Sequence, residues 1–133
     1  MADLIQAAIE ARERAYAPYS GYSVGAAILT EQGSIVTGGN VENISYGATI
    51  CAERSAVVRM LAEGAGSKVC ELAVASKDGV TPCGICLQVL QEFAASPQFK
   101  VHSVDQTGIV RSCKFQDLLP HPFVSPNVRR TEV

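Results

Sequence analysis

An α/β fold, a mixed sheet of five strands flanked by helices, is predicted from three observations. Three stretches of the chain carry apolar residues at helical spacing, and five shorter ones read as strands. They follow one another as helix, two strands, helix, strand, helix, two strands, an order that points to a mixed sheet covered by helices. No internal repeat is visible, and 133 residues suit one domain.

Residues 3–16 open the set as an amphipathic helix. Leu4, Ile5, Ala8 and Ile9 share one face, Glu10, Arg12 and Glu13 take polar positions, and Pro18 ends it. SVGAAILT (23–30) and GSIVTGG (33–39), joined at EQG, read as the strands of a hairpin. NVENISYGAT (40–49) follows as a polar loop. A second helix is expected over 51–63, with Thr49 just upstream as a capping residue and GAG as its stop. CELAVAS (70–76) is a short, nearly continuous apolar strand. Asp78, Gly79 and Pro82 mark a loop before GICLQVLQEFAA (84–95), a third helix whose apolar residues are Ile85, Leu87, Val89, Leu90 and Phe93. FKVHSV (99–104) and GIVRSCKF (108–115) close the set as strands. A single domain over 1–124 and a polar, fraying tail over 125–133 are expected.

Hydrophobic residues make up 47% and charged ones 18%, a globular rather than a disordered composition. Net charge is -2, and Lys and Arg form no cluster beyond Arg129 and Arg130, so a phosphate backbone finds little to hold and nucleic acid is excluded as a partner. The first residues lack the basic region and continuous apolar core of a signal peptide, and no apolar run is long enough to span a bilayer. No membrane partner and a cytoplasmic location are therefore expected. The five cysteines are an odd number, and disulfides are rare in a reducing compartment, which leaves metal binding or burial. Cys70 opens one apolar strand and Cys113 ends another, so both read as buried small hydrophobes. His102 and His121 lack a helical partner at ligand spacing and read as surface or hydrogen-bonded residues.

Cys83 and Cys86 can ligate one ion if the first sits in the loop and the second in the first helical turn. Taken alone, the pair also fits a redox couple or half of a structural zinc site. Cys51 supplies a third thiolate from another helix start, and three ligands leave a tetrahedral zinc one open position, as in catalytic sites. Glu53 sharpens this reading, because a carboxylate near the metal but not bound to it can take a proton from water there. Residues two apart face different ways in mid-helix, so Cys51 is expected at the helix cap and Glu53 in its first turn. Three thiolates leave the site net negative. Helix N-termini offset that charge, and Arg54 can tune the zinc through charge-assisted hydrogen bonds to a ligand sulfur.

With NVENISYG (40–47), CAER (51–54) and PCGIC (82–86) in this content, order and spacing, the chain resembles the small, homotetrameric, zinc-dependent nucleoside cytidine deaminases. The hairpin ahead of these motifs and LLPHPF (118–123) extend the resemblance over almost the whole chain. It implies a three-layer fold and hydrolytic deamination of cytidine and 2'-deoxycytidine to uridine and 2'-deoxyuridine, with release of ammonia, in pyrimidine salvage. One Zn2+ per chain, on Cys51, Cys83 and Cys86, would hold the hydroxide that attacks C4. Glu53 would carry the water proton to N3 and later help protonate the departing ammonia. The resemblance also assigns substrate binding to Tyr22 and Ala52 and to Asn40 and Glu42, which match residues bonding the ribose 3'-hydroxyl. Tyr46 and Phe123 match positions that reach a neighbouring subunit's site, Phe123 packing near the base. A homotetramer with shared active sites follows.

Four positions depart from the family pattern. Tyr22 and Ser23 stand where Phe-Pro is usual, Ile44 replaces a small Ala, and Leu87 follows Cys86 where Arg is common. Tyr22 can still stack on a base. Ile44 is bulkier near the expected 5'-hydroxyl, and Leu87 removes a cation close to the zinc loop. Deaminases of guanine, deoxycytidylate and polynucleotides resemble a His-x-Glu pattern where this chain has CAE, so Cys51 favours the nucleoside class. A blasticidin-type deaminase uses the same three thiolates, and a catalytically silent nucleoside-binding relative would keep the fold. The intact NVENISYG argues for a ribose, and the complete ligand set with its base argues for an enzyme.

Overall fold

Alternation along the strands decides how the layers form. The computed structural model describes residues 2–124, so the segment 125–133 lies outside the described residues. Its elements are α1 (Ala2–Arg12), β1 (Gly25–Thr30), β2 (Ile35–Gly39), α2 (Ala52–Glu63), β3 (Val69–Ala75), α3 (Gly84–Phe93), β4 (Lys100–Asp105), β5 (Gly108–Lys114) and a one-turn α4 (Phe115–Leu118). The five strands lie in the order β2-β1-β3-β4-β5. β3 and β4 are parallel and the other neighbours antiparallel. The parallel pair is the one α3 connects, since parallel strands need a crossover. This is the mixed five-stranded sheet with flanking helices that the sequence predicts.

Successive side chains of β1 point to opposite faces. Ala26 and Ile28 pack with Ala56, Val57 and Met60 of α2, Leu72 of β3 and Leu90 of α3. Ala27 faces the other way, joining Ala73 and Ala75 of β3 against Leu4 and Ala8 of α1. Helices thus cover both faces, and the sheet is the middle of three layers. A Cβ on Gly38 would lie 2.5 Å from the Ala56 nitrogen and 2.7 Å from the Ala52 oxygen, so only glycine lets α2 settle on β2. At its far end α2 stops at Gly64, whose left-handed φ of 65° turns its N–H back to the Leu61 oxygen.

Several boundaries differ from the sequence reading. α1 ends at Arg12 because Tyr16 is drawn into a bridge with Val41, its N–H reaching the Asn40 oxygen at 2.9 Å. The loop at 40–49 holds a 3-10 turn over Tyr46–Ala48 and is closed by a Val41–Ile50 bridge. Thr49 does not cap α2. Its hydroxyl accepts the Asn43 N–H at 3.4 Å, and Cys51 itself is the cap residue. Cys70 and Cys113 are half-buried rather than buried, Cys113 because β5 is the sheet edge. His102 has the hydrogen-bonded role: buried, it meets Ser112 Oγ at 2.7 Å and Glu71 Oε2 at 2.5 Å, knitting β3, β4 and β5 together.

Candidate active site

Two helix starts meet at one point. Cys51 (φ -73°, ψ 157°) and Cys83 (φ -72°, ψ 168°) are the extended cap residues of α2 and α3, and neither side chain bonds its own helix. The first N–H groups of both helices are therefore left with their partial positive charge beside a sulfur. Cys86 lies in the first turn of α3 and is fully buried. The three Sγ atoms lie within 4.8 Å of one another, with Cys51 and Cys83 3.8 Å apart. Tetrahedral zinc at about 2.3 Å from each sulfur puts its thiolates about 3.8 Å apart, so this donor set fits one zinc ion.

Arg54 Nη2 stands 3.5 Å from Cys51 Sγ and 3.5 Å from the Thr49 oxygen. A hydrogen bond from the Cys86 thiol, and then the Arg54 guanidinium, hold the Cys51 thiol down to about 5. Cys86 is pushed up in turn, by its bond to Cys51 and by burial. The pair thus keeps one thiolate beside the arginine. Glu53 shares the buried stripe of α2 with Ala52, Ala56, Val57 and Met60 and is only 5% exposed. Burial pushes its carboxyl up to about 7, against the pull of its own backbone N–H, and the Cys51 thiolate adds to the rise.

A cavity of about 350 Å³ opens over this cluster, with Tyr22, Asn40, Glu42, Cys51, Ala52, Glu53 and Cys83 in its wall. Its size suits a small polar molecule. The family model for the cytidine and deoxycytidylate deaminase zinc-binding region matches residues 1–101. The chain belongs to this deaminase family. The cytidine deaminase of Halalkalibacterium halodurans is 42% identical over 126 residues, covering 94% of this chain and 95% of that protein. That of Mycobacterium tuberculosis is 43% identical over 120 residues, covering 87% and 84%. Among solved structures, the cytidine deaminase of Burkholderia pseudomallei aligns with a TM-score of 0.85 at 43% identity over 92% of this chain and 98% of that one.

Against that family background, the predicted deaminase residues fall into two groups. The thiols, Glu53, Ala52, Asn40, Glu42 and Tyr22 converge on one place, with Arg54 behind Cys51. Tyr46 and Phe123 do not join them. Tyr46 is 75% exposed, lies edge-on to Tyr19 at 6.0 Å, and lines an adjoining cavity of about 410 Å³. Phe123 is 77% exposed. Asn40 is committed to the backbone ahead of β1, its Oδ1 accepting the Val24 N–H and its Nδ2 donating to the Tyr22 oxygen, each at 2.9 Å. Glu42 accepts the N–H groups of Tyr19 (2.9 Å) and Ser20 (3.0 Å) and the Ser20 hydroxyl, which together hold its carboxyl below the usual range. The Tyr22 hydroxyl is buried with no hydrogen-bond partner among the described residues, and Lys77 Nζ stands 5.9 Å from its ring centre.

Two departures take on physical meaning. Leu87 is 8% exposed and packs in the core beside α2, where an arginine would bury its charge. Ile44 is 79% exposed and lines neither cavity of its own chain. The sequence reading missed Ser20, which fixes Glu42, and Val80 and Thr81, which line the wall ahead of Cys83. Their nearness to the PCGIC motif is the one signal that could have pointed to Val80 and Thr81.

Proposed function

We propose that this protein hydrolyses cytidine and 2'-deoxycytidine to uridine and 2'-deoxyuridine, releasing ammonia, in cytoplasmic pyrimidine salvage. One observation carries the reading: Glu53, buried and titrating at about 7, stands beside three clustered thiols in the wall of a cavity large enough for a nucleoside. Cys51, Cys83 and Cys86 would hold the zinc, which when bound supplies a Lewis acid that makes water acidic enough to attack at neutral pH. A carboxyl whose hold on a proton is strengthened by burial can both accept and return one there. Glu53 takes a proton from the attacking water and delivers it to N3 of the pyrimidine, then takes the proton of the hydroxyl newly added at C4, which becomes the carbonyl, and gives it to the amino group leaving as ammonia. Arg54 and the two helix starts offset the charge of three thiolates, and the buried setting keeps stray water from the carboxylate.

The cavity wall supports a nucleoside over a free base. Asn40 uses one donor and one acceptor on the backbone and keeps one of each, and Glu42 keeps one lone pair on Oε2. Both can bond a ribose 3'-hydroxyl, and a site built around such a group rejects molecules that lack it. Ala52 offers a backbone N–H from the first turn of α2, which has no partner within the helix. Tyr22 supplies an aromatic wall. Tyr46 and Phe123, exposed on their own chain, would complete the site of a neighbour in a homotetramer. The equally exposed Ile44 and Ile85 support such an assembly. Thiolate ligands favour a reducing compartment, and a net charge of -2 disfavours a polynucleotide substrate. Among the described residues, no helix is long and apolar enough to cross a membrane.

The test is a metal assay with turnover of both nucleosides, on the native protein and on Glu53→Gln. About one zinc per chain, release of uridine and ammonia, and a roughly thousandfold loss of kcat in the zinc-retaining variant are expected. Bound zinc with turnover of neither nucleoside would sink the assignment.

A further inference from the structure

Gln88 lies in mid-α3, just past Cys86, and is half-buried. A helical glutamine ordinarily spends its amide on water. This one spends both ends on a single distant residue: Nε2 donates to the Phe123 oxygen at 2.8 Å, and Oε1 accepts the Phe123 N–H at 3.2 Å. The side chain thus satisfies the backbone of Phe123 as a neighbouring strand would. One such bond would leave a pivot, whereas two fix the residue's backbone and with it the direction in which its Cα–Cβ bond leaves the chain. Little else does so. Among the described residues, the chain from 120 to 124 makes no other hydrogen bond, and Pro120 and Pro122 have no N–H to give. The ring held this way is 77% exposed.

We propose that Gln88 is a positioning residue for the neighbouring subunit's substrate pocket, a latch that aims Phe123 out of its own chain. The proposal rests on the shared-site reading above, in which Phe123 packs near the base bound by a neighbour. It adds a coupling: α3 holds zinc ligands for its own chain and, through Gln88, the aromatic wall of the next one. The latch touches neither substrate nor metal, so it acts on binding rather than on the chemical step.

Gln88→Ala is tested by cytidine kinetics, metal assay and light scattering, with Gln88→Met, equal in length but unable to make either bond, as a second variant. Both are expected to raise KM about tenfold with kcat, zinc content and assembly unchanged. Co-expression with Glu53→Gln chains then separates the two sides of the interface. Those chains contribute only about a thousandth of the native turnover themselves but carry an intact latch, so in mixed assemblies a component with native KM should reappear. A KM that stays raised in the mixtures puts the effect within one chain and overturns the proposal, as does an assembled Gln88→Met protein with native KM. A native chain that is active as a monomer overturns the shared-site reading itself, and the latch with it.

Discussion

Glu53 holds its proton to neutral pH because it occupies a position that packing reserves for residues such as Ala56, Val57 and Met60. A carboxyl in the unfolded chain titrates near 4.5, and this one at about 7, so between those values the folded, metal-free protein carries the extra proton. Stability of the metal-free protein must therefore fall as pH rises through this window. Glu53→Gln removes the titration. Metal-free Glu53→Gln should exceed the metal-free native protein by on the order of 2 kcal/mol in urea unfolding at pH 8 and match it at pH 4.5. A difference that does not change with pH would mean that burial of the charge is not the cause. Cys51, Glu53, Cys83 and Cys86 were legible in the sequence because each depends on a cap or a first helical turn, which spacing reveals. The hold of Ser20 on Glu42 and of Gln88 on Phe123 was not, because chain folding joins residues 22 and 35 positions apart with no period to betray them.

Placement of that first turn is a property of α2 and the strand beneath it. Gly38 lets the helix lie close enough for Cys51 to meet the thiols of α3, and the two nearest atoms a side chain would strike are backbone, which cannot swing aside. Gly38→Ala should lose about 2–3 kcal/mol, lowering Tm by roughly 10 °C, and should weaken zinc binding as the start of α2 is pushed off the sheet. Calorimetry and a zinc titration check this; unchanged zinc affinity would show that the cluster does not depend on the helix's seat. The strands themselves were easy to read, because turn residues and alternating burial mark them locally. α1 was read too long, since Glu13 to Tyr16 extends a helical pattern that the Tyr16–Val41 bridge overrides. α4 was missed because its cause is tertiary: Phe115 is fully buried and stacks on Phe99 at 4.7 Å.

For the molecule as a whole, the exposed apolar residues have a pattern that a lone monomer leaves unused. Ile44 and Tyr46 stand on the loop that follows β2, and Ile85 lies one turn before Gln88, which holds Phe123; all four are at least 63% exposed. Scattered singly, such residues need no explanation. Here Ile44 and Tyr46 occur on the NVENISYG loop, Ile85 on the helix that carries Cys86, and Phe123 on the segment bonded to that helix, while the cavity over the thiols is walled by neither Tyr46 nor Phe123. Association would cover them and add a second aromatic wall to that of Tyr22 in one step. For the homotetramer proposed above, sedimentation should find about 56 kDa, four chains of 14.1 kDa. Charging both segments with Tyr46→Asp and Ile85→Asp should yield smaller species, since burying unpaired charge costs far more than the apolar contact contributed. Those species should keep their zinc, because the three thiols belong to one chain, and on the proposed shared-site reading should lose kcat/KM by about a hundredfold or more. A dissociated variant with native kcat/KM would show instead that each chain completes its own active site.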